Sequence, residues 1–286
     1  MRSVLIAGCG YLGEAAAKLF KEAEWLVEAW TKSAETAKQL SQKGYRARPI
    51  DFTRRNEVLA CDRQFEVVIH SASTRGGDVD LYRQVYLDGA QNLLQHFPHA
   101  TVLFAGSTSV YPQKNGEWVT EESPAKPEHE RGRILREAEM LVLERRGIAA
   151  RLAGIYGPDR SYLLQRFLAG EAIIDSAGDR FINQIHRDDA ASALLMLATR
   201  RSEFAGNIFN VSDGQPIRQS ECYRWLAQKL KRPLPAAMAP DSERKRGRSN
   251  KRVSNEKLRD TGWSPMFPTF ADAMEKSILV GAIHPN

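Results

Sequence analysis

Val4-Leu5-Ile6-Ala7-Gly8-Cys9-Gly10-Tyr11-Leu12-Gly13 opens the chain with a short apolar run that ends on glycines spaced Gly-x-Gly-x-x-Gly. A buried strand, a tight turn and a helix start in immediate succession give each glycine its own task. Gly8 permits the turn, Gly10 lets the backbone approach a pyrophosphate, and Gly13 allows close helix–strand packing. The helix N-terminus behind them offers N–H groups and a positive dipole end to phosphates. Gly8, Gly10, Tyr11, Leu12 and Gly13 are therefore expected to hold a dinucleotide. Outside the strand–turn–helix setting the same spacing is an ordinary glycine turn. Cys9 reads as a small filler, not a redox centre.

Outward from this stretch, β-branched runs alternate with helical ones. Val4–Ala7, Leu26–Thr31, Tyr45–Ile50, Phe65–Ser71, Thr101–Ala105 and Ile148–Ile155 read as buried strands. Glu14–Ala23, Ala34–Lys43, Asp78–Phe97 and Arg131–Arg146 read as helices between them. Such alternation predicts an α/β fold, a doubly wound parallel sheet of Rossmann type. Beyond residue 157 the rhythm loosens into helical patches (Tyr162–Ala169, Asp189–Arg200, Ser220–Leu230), one strand (Asn207–Val211) and Pro-rich connectors. The expected organisation is a nucleotide-binding domain over 1–157, with 182–212 returning to it, and a smaller C-terminal substrate lobe over 158–286. Ala239–Arg252, polar and basic, reads as a mobile loop.

Composition removes several function classes. With 286 residues, 42% hydrophobic and 27% charged, the chain can bury a sizeable core. No apolar run approaches the roughly 18 residues of a membrane span, and the apolar start is too short for a signal peptide; a cytoplasmic location and no membrane partner are expected. The cysteines Cys9, Cys61 and Cys222 are scattered, which argues against a disulfide framework or a zinc site; no metal is expected. Gly-x-x-x-x-Gly-Lys-Ser/Thr, His-Glu-x-x-His and Gly-x-Ser-x-Gly motifs are absent. A formal net charge of +6 fits an anionic small ligand as well as nucleic acid.

The second strand informs the choice of dinucleotide. An NAD site commonly ends this strand in Asp or Glu, which binds the ribose 2′-hydroxyl. Here the strand ends in Thr31-Lys32, and Glu28 lies mid-strand, away from the ribose. A hydroxyl followed by a cation suits a 2′-phosphate, so NADP is the expected cofactor and NAD the alternative; Lys32 as a solvated loop lysine is the plain reading.

Further landmarks follow in order: Asp51-Phe52, His70-Ser71-Ala72-Ser73, Asp88-Gly89-Ala90-Gln91-Asn92, Ala105-Gly106-Ser107-Thr108-Ser109-Val110-Tyr111, Arg151–Pro158, Ile185-His186-Arg187-Asp188-Asp189, Asn250–Asn255 and Gly262-Trp263. On these residues the chain resembles the extended or atypical short-chain dehydrogenase/reductase superfamily, the NAD-dependent epimerase/dehydratase group. The resemblance covers most of residues 1–270. It implies that Asp51-Phe52 contacts adenine, that Ala72 and Ser73 lie against the cofactor, and that Ser107 takes the position of the catalytic Ser/Thr. The helices Asp78–Phe97 and Arg131–Arg146 correspond to those that relatives use to dimerise, so a homodimer is expected.

One departure bears on the chemistry. The superfamily's Tyr-x-x-x-Lys puts a phenol and an ammonium on one helical face, and the lysine lowers the tyrosine pKa. Aligned on Glu137-Ala138-Glu139, the corresponding positions hold Arg131 and Leu135, and no tyrosine in the chain is followed by Lys four residues on. Arginine is no proton shuttle at neutral pH. Arg131 can clamp an anion, polarise a carbonyl, or be a solvated first-turn residue. Ser107 can bond a substrate oxygen or satisfy nearby backbone. Tyr162 and Arg166, four apart on a helix, can form a substitute acid/base–cation pair, or simply pack in the core or on the surface. Tyr86 is a packing residue or a phenol near the site; His186 and His70 read as structural.

Three functions compete. The first is an epimerase, dehydratase or reductase acting on a hydroxyl- or carbonyl-bearing small molecule, such as a sugar derivative. The second is a non-catalytic NAD(P)(H)-sensing protein. The third is nucleic-acid binding through Arg244–Arg252, which holds six cations in nine residues but no interleaved aromatics; nucleic acid is not the expected partner.

Overall fold

The computed structural model describes residues 2–74, 76–176, 179–238 and 249–280. The chain starts with β1 (Ser3–Ala7), α1 (Tyr11–Glu22), β2 (Leu26–Thr31), α2 (Ala34–Gln42), β3 (Arg46–Pro49), α3 (Arg55–Leu59) and β4 (Val67–His70). Then come α4 (Val79–Tyr82), a π-helical turn (Arg83–Asp88), α5 (Gly89–His96), β5 (Thr101–Ser107), β6 (Glu117–Val119), α6 (Glu130–Glu144) and β7 (Ile148–Leu152). Next are β8 (Gly154–Tyr156), α7 (Tyr162–Leu168), β9 (Ile174–Asp175), β10 (Phe181–Ile182), β11 (Gln184–His186) and α8 (Arg187–Thr199). The last part adds α9 (Arg201–Phe204), β12 (Ile208–Val211), β13 (Ile217–Arg218), α10 (Gln219–Leu230), β14 (Ala237–Met238), β15 (Lys251–Val253), α11 (Glu256–Arg259) and α12 (Phe270–Ala273). Of the stretch read as a mobile basic loop, residues 239–248 lie outside the described residues.

Two compact units result. The first comprises Met1–Val110, Ala125–Leu152 and Ala190–Phe209; the second comprises Tyr111–Pro124, Ala153–Asp189 and Asn210–Asn286.

The first unit is built on a seven-stranded sheet in the order β12-β7-β5-β4-β1-β2-β3. Its pairings from β3 through β7 are parallel, with Ile6 facing Ala29 on one side and Ile69 on the other. Val4–Ala7, Val67–His70 and Ile148–Leu152 are buried along their whole length, as strands covered on both faces must be. Strand order runs outward from β1 in both directions, so the topological switch point lies between β1 and β4. Ligands of such sheets bind outside the carboxyl ends of the strands at that point. α6 is tied to β7 by a buried two-pronged ion pair, Arg151 Nε to Glu139 Oε2 at 2.8 Å and Nη2 to Oε1 at 2.6 Å.

Two expected elements are divided. The helix expected over Asp78–Phe97 widens into a π turn, where the Val85 carbonyl accepts from His70 Nε2 at 2.9 Å. Because a carbonyl only accepts, His70 is the Nε2–H tautomer, and burial pushes its pKa down to about 4. The strand expected over Ile148–Ile155 breaks at Ala153, whose amide bonds Val211 O, while Gly154 bonds Asn183 O. From there the chain pairs with β11 instead of β5.

The second unit packs α7, α10 and α12 around Tyr156, Phe167, Tyr223, Leu226 and Phe270. Its short strands form two-stranded pieces: β10–β13, β11–β8, β14–β9 and β15–β6.

Candidate dinucleotide site

Gly8–Gly13, Thr31–Lys32, Asp51–Phe52, Ser71–Ser73 and Ser107 all lie at or just beyond the carboxyl ends of sheet strands. The turn after β1 docks on β2, Gly8 N and Cys9 N both donating to Trp30 O at 3.0 and 2.8 Å. Gly8 has φ +90°, and a Cβ there would lie 2.5 Å from Ala72. A Cβ at Gly13 would meet Gly8 O at 2.9 Å and Ile6 at 3.0 Å. Gly10 is different: nothing lies within 4 Å of a Cβ built on it. The first and third glycine positions thus close the β1–α1–β4 contact, and the middle one faces open space. No side chain caps the N-terminus of α1 at Gly10, so first-turn amides that have no intrahelical acceptor point into the same space. Tyr11 and Leu12 occupy that first turn. This chemistry and this space fit a diphosphate.

Around the turn, Ser71 fastens β4 to the glycine loop, its N bonding Ala7 O at 2.9 Å and its Oγ bonding Gly8 O at 3.2 Å. Ala72 and Ser73 continue from there, and Ser73 accompanies the Tyr86 hydroxyl. Cys9 is buried, and burial pushes its thiol up to about 12, which leaves it unreactive at neutral pH.

At the end of β2, Lys32 Nζ lies 3.0 Å from Asp51 Oδ2. Burial raises the Asp51 carboxyl, but bonds from Thr53 and Lys32 outweigh it and hold the group below its ordinary value. Phe52 is buried edge-on to His70 with centroids 5.0 Å apart, and Asn92 Nδ2 donates to the Phe52 and Thr53 carbonyls, each at 3.1 Å. Lys32 thus reaches Asp51 in the loop after β3, and Thr31 pairs with Pro49 at the end of that strand. Glu28 is enclosed: Trp30 Nε1 donates to it at 2.9 Å, and Arg46, Arg48 and Arg63 surround it.

Ser107 ends β5, and its Oγ accepts from Ser109 N at 3.1 Å, which leaves the hydroxyl proton available for donation. Arg131, in the first turn of α6, donates to Gly77 O and lies 5.2 Å over the Tyr82 ring. Tyr82 in turn packs on Tyr86 at 5.0 Å, and Tyr86 lies parallel to His70 at 6.2 Å. Burial raises the Tyr86 phenol above its ordinary value. Leu135 is buried in α6. Sequence reasoning missed Tyr82 as the partner of Arg131; its i, i+4 spacing from Tyr86 was the one signal available.

Tyr162 belongs to the second unit. It is 64% exposed, with Arg166 Nη1 donating to its hydroxyl at 2.9 Å. In the same unit His186 is fully buried, bonded to Ser277 Oγ at 3.0 Å, and its Nδ1 accepts from Asp188 N at 3.2 Å. Nε2 therefore carries the proton, and the Ser277 oxygen is an acceptor, not an activated nucleophile. Among the described residues no cluster of His, Cys, Asp and Glu is arranged to hold a metal ion, and no helix is long and apolar enough to cross a membrane.

Comparisons with known proteins bear on this geometry. No curated protein matches the chain. A Methylobacillus flagellatus structure, provisionally described as an NAD-dependent epimerase/dehydratase, is 25% identical over 99% of both chains, with a TM-score of 0.78. A short-chain dehydrogenase/reductase superfamily protein from Agrobacterium tumefaciens, with NAD bound, is 17% identical over 96% of this chain and 95% of its own (TM-score 0.79). UDP-glucose 4-epimerase from Thermotoga maritima, with UDP-glucose, is 16% identical over 96% of both chains (TM-score 0.80). The last two share the fold. The model of the NAD dependent epimerase/dehydratase family matches residues 4–212, a span that takes in the seven-stranded sheet from Val4 on and its glycine turn, and the chain belongs to that family.

Proposed function

We propose that the first unit binds a nicotinamide dinucleotide and that the protein is an oxidoreductase, epimerase or dehydratase acting on a hydroxyl- or carbonyl-bearing small molecule, a sugar derivative among the candidates. The observation that carries this reading is the open space at Gly10 beside an uncapped helix N-terminus. Main-chain amides there would hold the diphosphate, Asp51 and Phe52 would flank the adenosine end, and Ala72 and Ser73 would line the path towards Ser107. The cofactor supplies hydride chemistry when bound. The chain's own residues orient the substrate: Ser107 donates its hydroxyl proton to a substrate oxygen, and Arg131 polarises or clamps an anionic or carbonyl group.

Calorimetry with NAD, NADH, NADP and NADPH on the full chain tests the binding half; no uptake of any of the four ends the reading. Ser107→Ala is expected to lower turnover about a hundredfold, the scale of losing one well-aimed donor, with dinucleotide affinity unchanged. Equal turnover, in a carbonyl and nucleotide-sugar screen, removes Ser107 from the mechanism.

NADP is our preferred cofactor because Lys32, which follows β2, would stand beside the ribose 2′ position of a dinucleotide on this turn. Lys32→Ala should weaken NADP about tenfold, a modest loss because the lysine is exposed and screened, and leave NAD unchanged. Identical losses for both would assign Lys32 to the Asp51 contact alone.

A second reading, a non-catalytic NAD(P)(H) sensor in the cytoplasm, is favoured by the engaged state of Arg131 and the buried Leu135. Dinucleotide uptake without turnover across the screen selects it. A homodimer belongs to both readings: the π turn, α5 and α6 border an open groove of about 720 Å³ lined by Leu87, Met140 and Leu141 with Arg133, Arg136, Glu137 and Glu144. Sedimentation velocity reads that state directly.

A further inference from the structure

Strand β15 carries Lys251 into the second unit, where only 3% of the residue is exposed. Among the described residues its ammonium has one acceptor, the Tyr111 carbonyl at 3.1 Å. Its register partner on β6, Glu117, is engaged elsewhere: the carboxylate accepts from Asn115 N at 2.9 Å and Asn115 Nδ2 at 3.2 Å. The buried cation of the first unit, Arg151, instead meets Glu139 through two N–H groups. A buried charge is normally paired, because desolvation is costly otherwise. An ammonium has three donors, so among the described residues this one keeps two unspent.

A complementary atom lies in the same segment. Gln113, two residues after Tyr111, has its Nε2 bonded to Pro124 O at 3.2 Å, while its Oε1 is buried with no donor among the described residues. One group thus seeks anionic oxygen and the other seeks a hydroxyl or amide proton.

We infer that Lys251 and Gln113 form an anchoring site for an anionic, hydroxyl-bearing small molecule: the ammonium takes a carboxylate or phosphate oxygen, and Gln113 Oε1 accepts from a hydroxyl. The inference rests on the small-molecule reading above and narrows its substrate class to anions. Burial pushes the Lys251 amine down to about 8, which still leaves most of it charged at pH 7.

Thermal unfolding of the full chain at fixed ionic strength tests it, with glucose 6-phosphate, gluconate, inorganic phosphate and neutral glucose as probes. Glucose 6-phosphate, gluconate or both should raise the midpoint while glucose does not; the first two arms separate a phosphate ligand from a carboxylate. Lys251→Met should melt higher than the parent, because it removes an unpaired buried charge, and should lose the anion response. Its dinucleotide uptake should stay within about twofold of the parent, since the glycine loop is untouched. A lower midpoint with the anion response intact overturns the assignment, as does an equal response to glucose or no response to either anion. Gln113→Leu leaves the lysine in place, and should weaken the response to glucose 6-phosphate several-fold but not that to inorganic phosphate. Equal weakening of both, or of neither, also overturns it. Loss of dinucleotide uptake by the parent protein would count against the cofactor reading alone, because the anion response is scored separately.

Discussion

Gly10→Val removes dinucleotide binding and leaves the fold standing. Position 10 has φ −103° and ψ −146°, a negative φ free of the left-handed strain found at Gly8, and a Cβ there meets nothing within 4 Å beyond its chain neighbours. Losing glycine at a helix N-cap costs up to about 1 kcal/mol, a midpoint shift of a few degrees in a chain of this size. The isopropyl group, however, fills the space that the first-turn amides of α1 face. Losing that approach should weaken dinucleotide affinity at least a hundredfold, about 3 kcal/mol. Gly8→Ala behaves in the opposite way. Its φ of +90° and the 2.5 Å approach to Ala72 place the damage in the β1–β4 contact, so that variant unfolds more easily whether or not ligand is present. Calorimetry paired with thermal unfolding separates the two. A Gly10→Val protein that still takes up dinucleotide with parental affinity would mean that the diphosphate does not lie on this turn.

The alternation of β-branched and helical runs made the parallel sheet legible, since a strand buried on both faces has no choice but to be apolar throughout. Leu26–Thr31 runs as read, and β1, β3 and β4 shift by one or two residues at their ends. The glycine loop was legible because each glycine is demanded by a local contact, at Gly8 a positive φ and at Gly13 a close carbonyl. What sequence could not show depends on partners far along the chain. Arg131 finds Gly77 and Tyr82 about fifty residues upstream. The π turn depends on His70 reaching Val85, which no helical periodicity encodes. Lys251 sat in a run of cations that reads as a solvated face. Its burial follows from a three-residue pairing with Glu117–Val119, too short to leave an alternating pattern.

Asp213 gives the second unit a stability that falls as pH rises. The residue follows β12 and is 5% exposed; its N donates to Gln184 O at 2.8 Å and its Oδ1 accepts from Gln215 N at 2.9 Å. Burial, only partly offset by the Gln215 bond, and the nearby Asp189 carboxylate push its carboxyl from 3.8 up to about 8. Tyr156 and Cys222 also feel its charge, the Gln184 side chain bonds Cys222, and the buried Tyr156 hydroxyl has no partner among the described residues. Between the two pKa values the folded chain keeps a proton that the unfolded chain releases. Stability contributed by this group is therefore complete below pH 3.8 and is lost as pH passes through about 8, with a limiting slope of about 1.4 kcal/mol per pH unit. Asn at this position keeps the oxygen that accepts from Gln215 and cannot ionise. Asp213→Asn should thus match the parent near pH 4 and exceed it at pH 9 by a few kcal/mol, on the order of the integrated slope after relaxation of the site. Lys251 acts in the opposite sense, because its lowered pKa makes the folded chain gain stability between about 8 and 10.5, so the comparison is made between variant and parent at each pH, where that contribution cancels. Urea midpoints from pH 4 to 9 supply the measurement. Two parallel curves would show that the Asp213 carboxyl is ionised in the folded chain and that the buried polar group around Tyr156 and Gln184 is balanced in another way.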